Sequence, residues 1–330
     1  MKALLLAITS ASLLALAAAC GGGEPSDATP TQDELAQALA GQGRLVYGAE
    51  GLTQVVNADG TNAQTLPFHP GTVSARLDGA TYIHVFPDGT AEVRLSKEDG
   101  SEAVLGPGRR PAVWSPDGTR LAVALEGEDG ADLWTVDAAT EAKTLVAEDV
   151  EVTFNGPAWS PDGRKLAYVA AASRELKVID LASQESYTVT ADLTGRIHAL
   201  AWSPDGASIA YQRSTRGAEA DIVVVDAGGG EPRKLGDGWW PGWSPDSSRI
   251  AYVGSTEPGL FVVDLAGAGR QVAPDANVGP TGRSQPAWSP DGKWVAYESV
   301  NGGILRLVNV KTGDIFDAVR KPASLLAWLP

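Results

Sequence analysis

Basic and aromatic side chains recur at one place in this sequence, three to seven positions ahead of a repeated tryptophan. They are His69; Arg109 and Arg110; Phe154 with Asn155; Arg196 and His198; Trp239 and Trp240; Arg283 with Ser284; and Lys321 with Ser324. Guanidinium groups fork carboxylates through paired hydrogen bonds, and aromatic rings stack on flat apolar faces. Gathered on one rim, these residues would form a cationic, partly aromatic mouth suited to an anionic or carbohydrate-like partner. Trp239 and Trp240, in Gly236-Asp-Gly-Trp-Trp-Pro-Gly242, are the most pointed of them, because nothing in the repeat requires two adjacent indoles. One of the pair could equally plug a central channel. The competing reading makes all of these ordinary solvated loop residues, paired with Asp149, Glu151, Asp192, Asp237 and Asp275.

What must position these residues is the repeat itself. Trp114-Ser-Pro-Asp-Gly118 returns as Trp159 to Gly163, Trp202 to Gly206, Trp243 to Ser247 and Trp288 to Gly292, at intervals of 45, 43, 41 and 45 residues. Ser, Pro and Gly at these places suit a type I turn, with proline pre-setting φ and glycine accepting positive φ. Ser247 departs from that rule. Each turn is followed by a strand-like Leu-Ala-Tyr or close variant, at Leu121, Leu166, Ile209, Ile250 and Val295, and then by a second apolar run closing on Asp137, Asp180, Asp226, Asp264 or Asn309. A carboxylate or amide there can cap the next turn, so neither aspartate series reads as catalytic.

Four short strands per forty-odd residues, stacked radially, are the pattern of an all-β propeller. Ala75-Arg-Leu-Asp-Gly79 aligns without gaps on the motif and marks a degenerate blade; that alignment sets His84 at the tyrosine position. Leu45-Val-Tyr47 and Val55-Val-Asn57 supply a blade whose tryptophan strand is missing, and Leu326-Ala-Trp328, 40 residues after Trp288, supplies the missing strand. Pairing of the C-terminal strand with the N-terminal blade would close the ring and remove free sheet edges. Seven blades are expected over residues 44–330, with six as the alternative if the degenerate blade is incomplete.

Other chemistry has little material. Lys and Arg total 26 against 41 Asp and Glu, a net charge of -15, which argues against nucleic acid as a partner. A single cysteine excludes an internal disulfide and a Cys-based zinc site, and there are only three histidines. Gly127-Glu-Asp-Gly-Ala-Asp132 lacks EF-hand ligand spacing, and Gly228-Gly-Gly230 opens no helix that could cradle phosphate. No cofactor, no metal and no catalytic residue is assigned, and a monomer is expected.

Met1-Lys2 and the apolar run Ala3 to Ala19 form the pattern of a secretory leader over residues 1–19. The boundary Leu16-Ala-Ala-Ala-Cys20, followed by three glycines, resembles a bacterial lipoprotein signal, although Ala17 stands where leucine is commoner. That resemblance implies a lipid on Cys20 and an exported protein held to the cell envelope; an ordinary cleavage site and an uncleaved anchor are the other readings. Residues 20–43 are small and polar and read as a tether, with a helical turn or two at Asp33 to Ala40.

The Trp-Ser-Pro-Asp-Gly repeat backed by Leu-Ala-Tyr resembles the TolB-type propeller repeat over about residues 44–330. The resemblance implies a binding propeller that recognises an envelope protein, a peptide or a glycan without turnover. Relatives of this kind also include peptidase-linked propellers and polysaccharide lyases. This chain has no Gly-x-Ser-x-Gly nucleophile elbow and no room for the α/β domain that precedes the TolB propeller. A glycan lyase or hydrolase, using His198 or His69 with carboxylates in the channel, is the alternative activity.

Overall fold

A computed structural model describes residues 30–68, 74–76, 79–86, 90–108, 112–128, 130–153, 156–191, 195–214, 219–276, 285–300 and 303–329. Among these the regular secondary structure is strand, apart from one helix, α1 (Gln32–Leu39). The strands pair antiparallel as four-strand units. The second unit, which the degenerate motif left in doubt, is complete: Ser74–Ala75, Gly79–Val85, Ala91–Lys97 and Glu102–Pro107. The third runs from Val113–Trp114 to Lys143–Ala147, the fourth from Ala158–Trp159 to Ser186–Thr190, and the seventh from Ala287–Trp288 to Ile315–Pro322. The fifth and sixth join into one seven-stranded sheet, because the long strand Arg233–Trp243 is outermost in the fifth and innermost in the sixth.

The first unit takes strands from both ends of the chain. Arg44–Ala49 pairs with Leu52–Asn57 on one side and with Ser324–Leu329 on the other, setting Leu45 opposite Trp328. Apolar side chains of this unit reach both neighbours. Leu45 and Tyr47 pack with Trp294, Leu305 and Phe316 of the seventh unit, while Val46 and Val55 pack with Ala75 and Ala80 of the second. Innermost strands touch in succession: 158–159 with 196–202, then 233–243, 287–288, 324–329 and 74–75.

The Leu-Ala-Tyr pattern is explained by which neighbour each residue faces. Side chains alternate across a strand. Leu166 and Tyr168 therefore pack toward the third unit and Ala167 toward the fifth; Ile250 and Tyr252 pack toward the fifth and Ala251 toward the seventh. The alanine leaves room for the next unit's tryptophan: Ala122 shares a core with Trp159, Ala210 with Trp243 and Ala251 with Trp288. Each indole then donates its N–H to the preceding inner strand, Trp159 to the Val113 carbonyl, Trp202 to Ala158 and Trp243 to Ala201, all at 3.0 Å. Trp288 donates to the Gly242 carbonyl at 2.9 Å. At Gly242 a Cβ would meet the Pro286 carbonyl oxygen at 2.3 Å, so the close approach of these two strands requires glycine.

Within each turn the motif serine has a double role. Ser115 Oγ donates to Asp117 at 2.6 Å and accepts from the Arg120 amide at 2.9 Å, and Ser160, Ser203, Ser244 and Ser289 repeat the pattern. Gly118, Gly163, Gly206 and Gly292 all have positive φ, and Ser247 adopts φ 60° in their place. That costs about 1–2 kcal/mol for a residue with a Cβ. Asp137, Asp180, Asp264 and Asn309 accept backbone N–H groups in the second turn, as their positions suggest.

Two expectations need correction. The second unit's first hairpin pairs Ala75 with Ala80, whereas the third pairs Trp114 with Leu121, so its turn is two residues shorter. Tyr82, opposite Arg94 as Tyr168 is opposite Lys177, therefore holds the tyrosine position, and His84 lies two residues beyond it, edge-on to Phe86 at 4.6 Å. A gap-free alignment cannot see a shortened turn. The other correction concerns the stretch 20–43. Within it α1 does not behave as spacer: it begins with a capping box between Thr31 and Glu34, buries Leu35 and Leu39, and bonds through Gln32 to the backbone of Ile315 and Asp317.

Candidate functional site

Both turns of a unit lie at one end of it. The amides of Ala138, Leu181, Ala227 and Val310 donate to the carbonyls of Thr119, Arg164, Ala207 and Lys293, tying the second turn to the Ser-Pro-Asp-Gly turn. The segments that lead into each inner strand lie at the opposite end, beside the middle hairpins, as the Ala171 amide to Asp149 carbonyl bond records. This loop face carries the residues singled out in the sequence that are described: Arg196, His198, Trp239, Trp240, Lys321, whose Nζ donates to Glu50 at 2.9 Å, and Ser324. Cys20, His69, Arg109, Arg110, Phe154, Asn155, Arg283 and Ser284 lie outside the described residues.

Two of these, His198 and Trp239, hold equivalent places. His198 stands four residues before Trp202 and pairs with Gln212; Trp239 stands four before Trp243 and pairs with Val253. Gln212 and Val253 themselves match in register, each following the tyrosine of its unit. The strands Arg196–Trp202 and Arg233–Trp243 are neighbours, so His198 and Trp239, both half-buried, lie at the same level on adjacent inner strands. Just ahead of His198, the Arg196 side chain is 69 % exposed and lies 3.8 Å from the Glu151 carboxylate. That is the kind of pairing the solvated-loop reading expects, and at such exposure it stabilises the fold by no more than about 1 kcal/mol.

Both strands bulge immediately after these rings. Register shifts between His198 and Ala201 and between Trp239 and Gly242, and the bulged residues Ala199 and Trp240 have φ of 47° and 62°. Gly156, three residues before Trp159, has φ 72°. A bulge turns the strand and re-aims the side chains around it. Trp240 is buried, at 3 % exposure, and is absent from the inter-unit apolar cores found among the described residues. Its burial removes it from any contact set on the rim; Trp239 alone of the pair keeps exposed surface.

Sequence reasoning missed Glu298. It follows the tyrosine of the seventh unit, where other units carry Ala124, Val169, Gln212 and Val253. Its carboxyl is buried and accepts the Leu325 amide at 3.1 Å. Desolvation raises its pKa to about 7, against the opposing effect of hydrogen bonds from Leu325 and Ser324. The only sequence signal was an acidic residue at a place otherwise apolar or amide.

Close by, Asp275 accepts from Tyr297 at 2.9 Å, from Ser299 at 2.6 Å and from Arg306, whose guanidinium also bonds Asp317 at 2.8 Å. Burial works to raise the Asp275 pKa, but the hydroxyl bonds and the Arg306 charge hold it below the usual carboxylate range. A carboxylate so fully bonded reads as a structural tie between the sixth and seventh units. Among the described residues no group of three or more His, Cys, Asp or Glu side chains is placed to hold a metal ion. Gly127 and Gly130 close a hairpin turn, as does Gly229 on Asp226.

The arrangement is that of known propellers. TolB from Acinetobacter baumannii superposes with a TM-score of 0.52 at 17% identity over 90% of this chain and 86% of that one. An oligogalacturonate lyase in complex with manganese gives 0.59 at 18% identity over 88% and 87%. A puromycin-hydrolyzing peptidase from Mycobacterium tuberculosis gives 0.58 at 17% identity, over 75% of this chain and 45% of the peptidase. The chain therefore has a TolB-like β-propeller fold. No family model matches it, and no curated protein matches it in sequence. At these identities the likeness is one of fold, and the neighbours include TolB, a lyase and a peptidase.

Proposed function

We propose that this chain is an exported lipoprotein, acylated at Cys20, whose seven-bladed, ring-closed propeller binds an envelope protein, peptide or glycan at its loop face without turning it over. Ring closure is supported by the first unit's double role, packed on the seventh through Leu45 and on the second through Val46. The count of seven is supported by reading the seven-stranded sheet as two blades that share the strand Arg233–Trp243.

The observation that carries the binding reading is the side-by-side placement of His198 and Trp239, with the exposed Arg196 two residues from His198. A flat indole, an imidazole and a guanidinium on rigid neighbouring strands suit a sugar or peptide carrying carboxylates, and pre-organisation lowers the entropy lost on binding. Titration of acidic peptides and of uronate oligosaccharides against the native protein and the Arg196→Ala, Trp239→Ala double variant tests it. At least tenfold weaker binding is expected, and unchanged affinity would remove the site. The lyase reading is favoured by the fold neighbour and by the near-neutral Glu298; cleavage of uronate oligosaccharides by the native protein, abolished by His198→Ala, would establish it instead.

A further inference from the structure

Where α1 leaves the body determines which face an anchored propeller turns to the membrane. At its start, Gln32 Nε2 donates to the Ile315 carbonyl at 2.9 Å, and the Asp317 amide donates to Gln32 Oε1 at 3.1 Å. Ile315 directly follows the turn from Asn309 to Asp314, which is bonded through Val310 to Lys293 beside the seventh unit's Ser-Pro-Asp-Gly turn. At the other end of the helix, the Gly43 carbonyl accepts from Ala58 in the corresponding turn of the first unit, and the Gln42 carbonyl accepts from the Trp328 indole at 2.7 Å. Both ends of α1 thus lie on the turn face, and buried Leu35 and Leu39 hold it there.

Nine residues lie between Cys20 and the first described residue, Pro30, and the ten steps they make span at most about 35 Å fully extended. Running up the side of a seven-residue strand, such as Arg120–Glu126, would use roughly 23 Å of it before any loop is passed. Bringing the loop face to the bilayer would therefore demand almost the whole reach, whereas the turn face needs none of it.

We propose that the turn face is directed toward the membrane and that the loop face bearing Arg196, His198 and Trp239 is presented away from it, free to meet a partner. This rests on the reading of Cys20 as the acylated residue. The turn face carries both signs of charge: Asp117, Asp162, Asp205, Asp246 and Asp291 are held ionised by their serine and backbone hydrogen bonds, and Arg120, Arg164, Arg249 and Lys293 stand at the same turns. Attachment belongs to the acyl chains, and the short tether between Cys20 and α1 sets the facing.

Cys20 is the only cysteine, so in the acylated full-length protein an introduced thiol is uniquely labelled. Ser183→Cys places a donor dye on the turn face of the fourth unit and Ser173→Cys on the loop-face hairpin of the same unit; both residues are exposed. In phosphatidylcholine vesicles carrying a headgroup-labelled acceptor lipid, energy transfer from position 183 is expected to be at least twice that from 173. Equal or reversed transfer, with the protein floating with the vesicles and Cys20→Ser failing to float, would overturn the orientation while leaving the anchor intact. If the native protein does not float, the anchor reading falls and the orientation falls with it.

Discussion

Val46 and Ala75 share the core between the first two units in the places where other units set an alanine against a tryptophan. Ala122 faces Trp159 and Ala251 faces Trp288, but in the first two units the small residue has moved to the inner strand and the larger one to its neighbour. The volume is redistributed and the interface stays filled.

Ala75→Trp alone is expected to overpack this interface and destabilise the fold by about 1–3 kcal/mol. Val46→Ala alone leaves a void and also destabilises. Joined, the two changes recreate the arrangement of the other units, so urea denaturation of all three variants should show a coupling of about 0.5–3 kcal/mol in favour of the double variant. Strict additivity would mean that these side chains do not face one another.

The two adjacent tryptophans should separate on measurement. Trp240→Ala removes a buried indole and is expected to cost about 3–5 kcal/mol, and it leaves the left-handed backbone as it is, since Ala199 adopts the same conformation at the equivalent place. Trp239→Ala should leave the thermal midpoint within a few degrees and act on binding instead. Equal effects on stability would contradict the difference in burial.

Glu298 ties stability to pH. Its folded pKa of about 7 is above the unfolded value of 4.5. The contribution to stability is therefore whole below about pH 4.5 and is lost as pH rises through 7, a difference on the order of 3 kcal/mol. Glu298→Gln keeps an oxygen for the Leu325 amide and has nothing to ionise. The variant should be more stable than the native protein at pH 8 and close to it at pH 5, read from denaturant midpoints at each pH. An equal difference at both would show that the carboxyl titrates in the ordinary range.

Trp114 differs from the other motif tryptophans in that its indole N–H is buried with no acceptor among the described residues. Trp159→Phe breaks a 3.0 Å bond to Val113 and leaves that carbonyl short of a donor, whereas Trp114→Phe deletes an unsatisfied group. Chemical denaturation should find Trp159→Phe costlier than Trp114→Phe by about 1 kcal/mol.

Much of the fold was legible because a repeat states its own geometry. The Ser-Pro-Asp-Gly turns, the capping aspartates and the pairing of the C-terminal strand with Arg44–Ala49 all follow from local chemistry recurring at a fixed interval. Each needs only residues adjacent in sequence, or a strand plainly missing its partner. The candidate rim was legible only as a set of loop residues. Which of them approach one another depended on bulges after His198 and Trp239, and which are accessible depended on burial that made Trp240 an interior residue.

Composition and spacing alone determined the strand-rich repeat, the turn chemistry and the lone cysteine that follows the N-terminal apolar run, since these are written in consecutive residues. Tertiary structure decided the exchange of volume between Val46 and Ala75, the burial of Glu298 against Leu325 and the docking of α1 on the turn face. Each of these joins groups from different units or from opposite ends of the chain. Burial and contact are properties of what surrounds a residue, and the neighbours that supply them here lie up to 286 positions away.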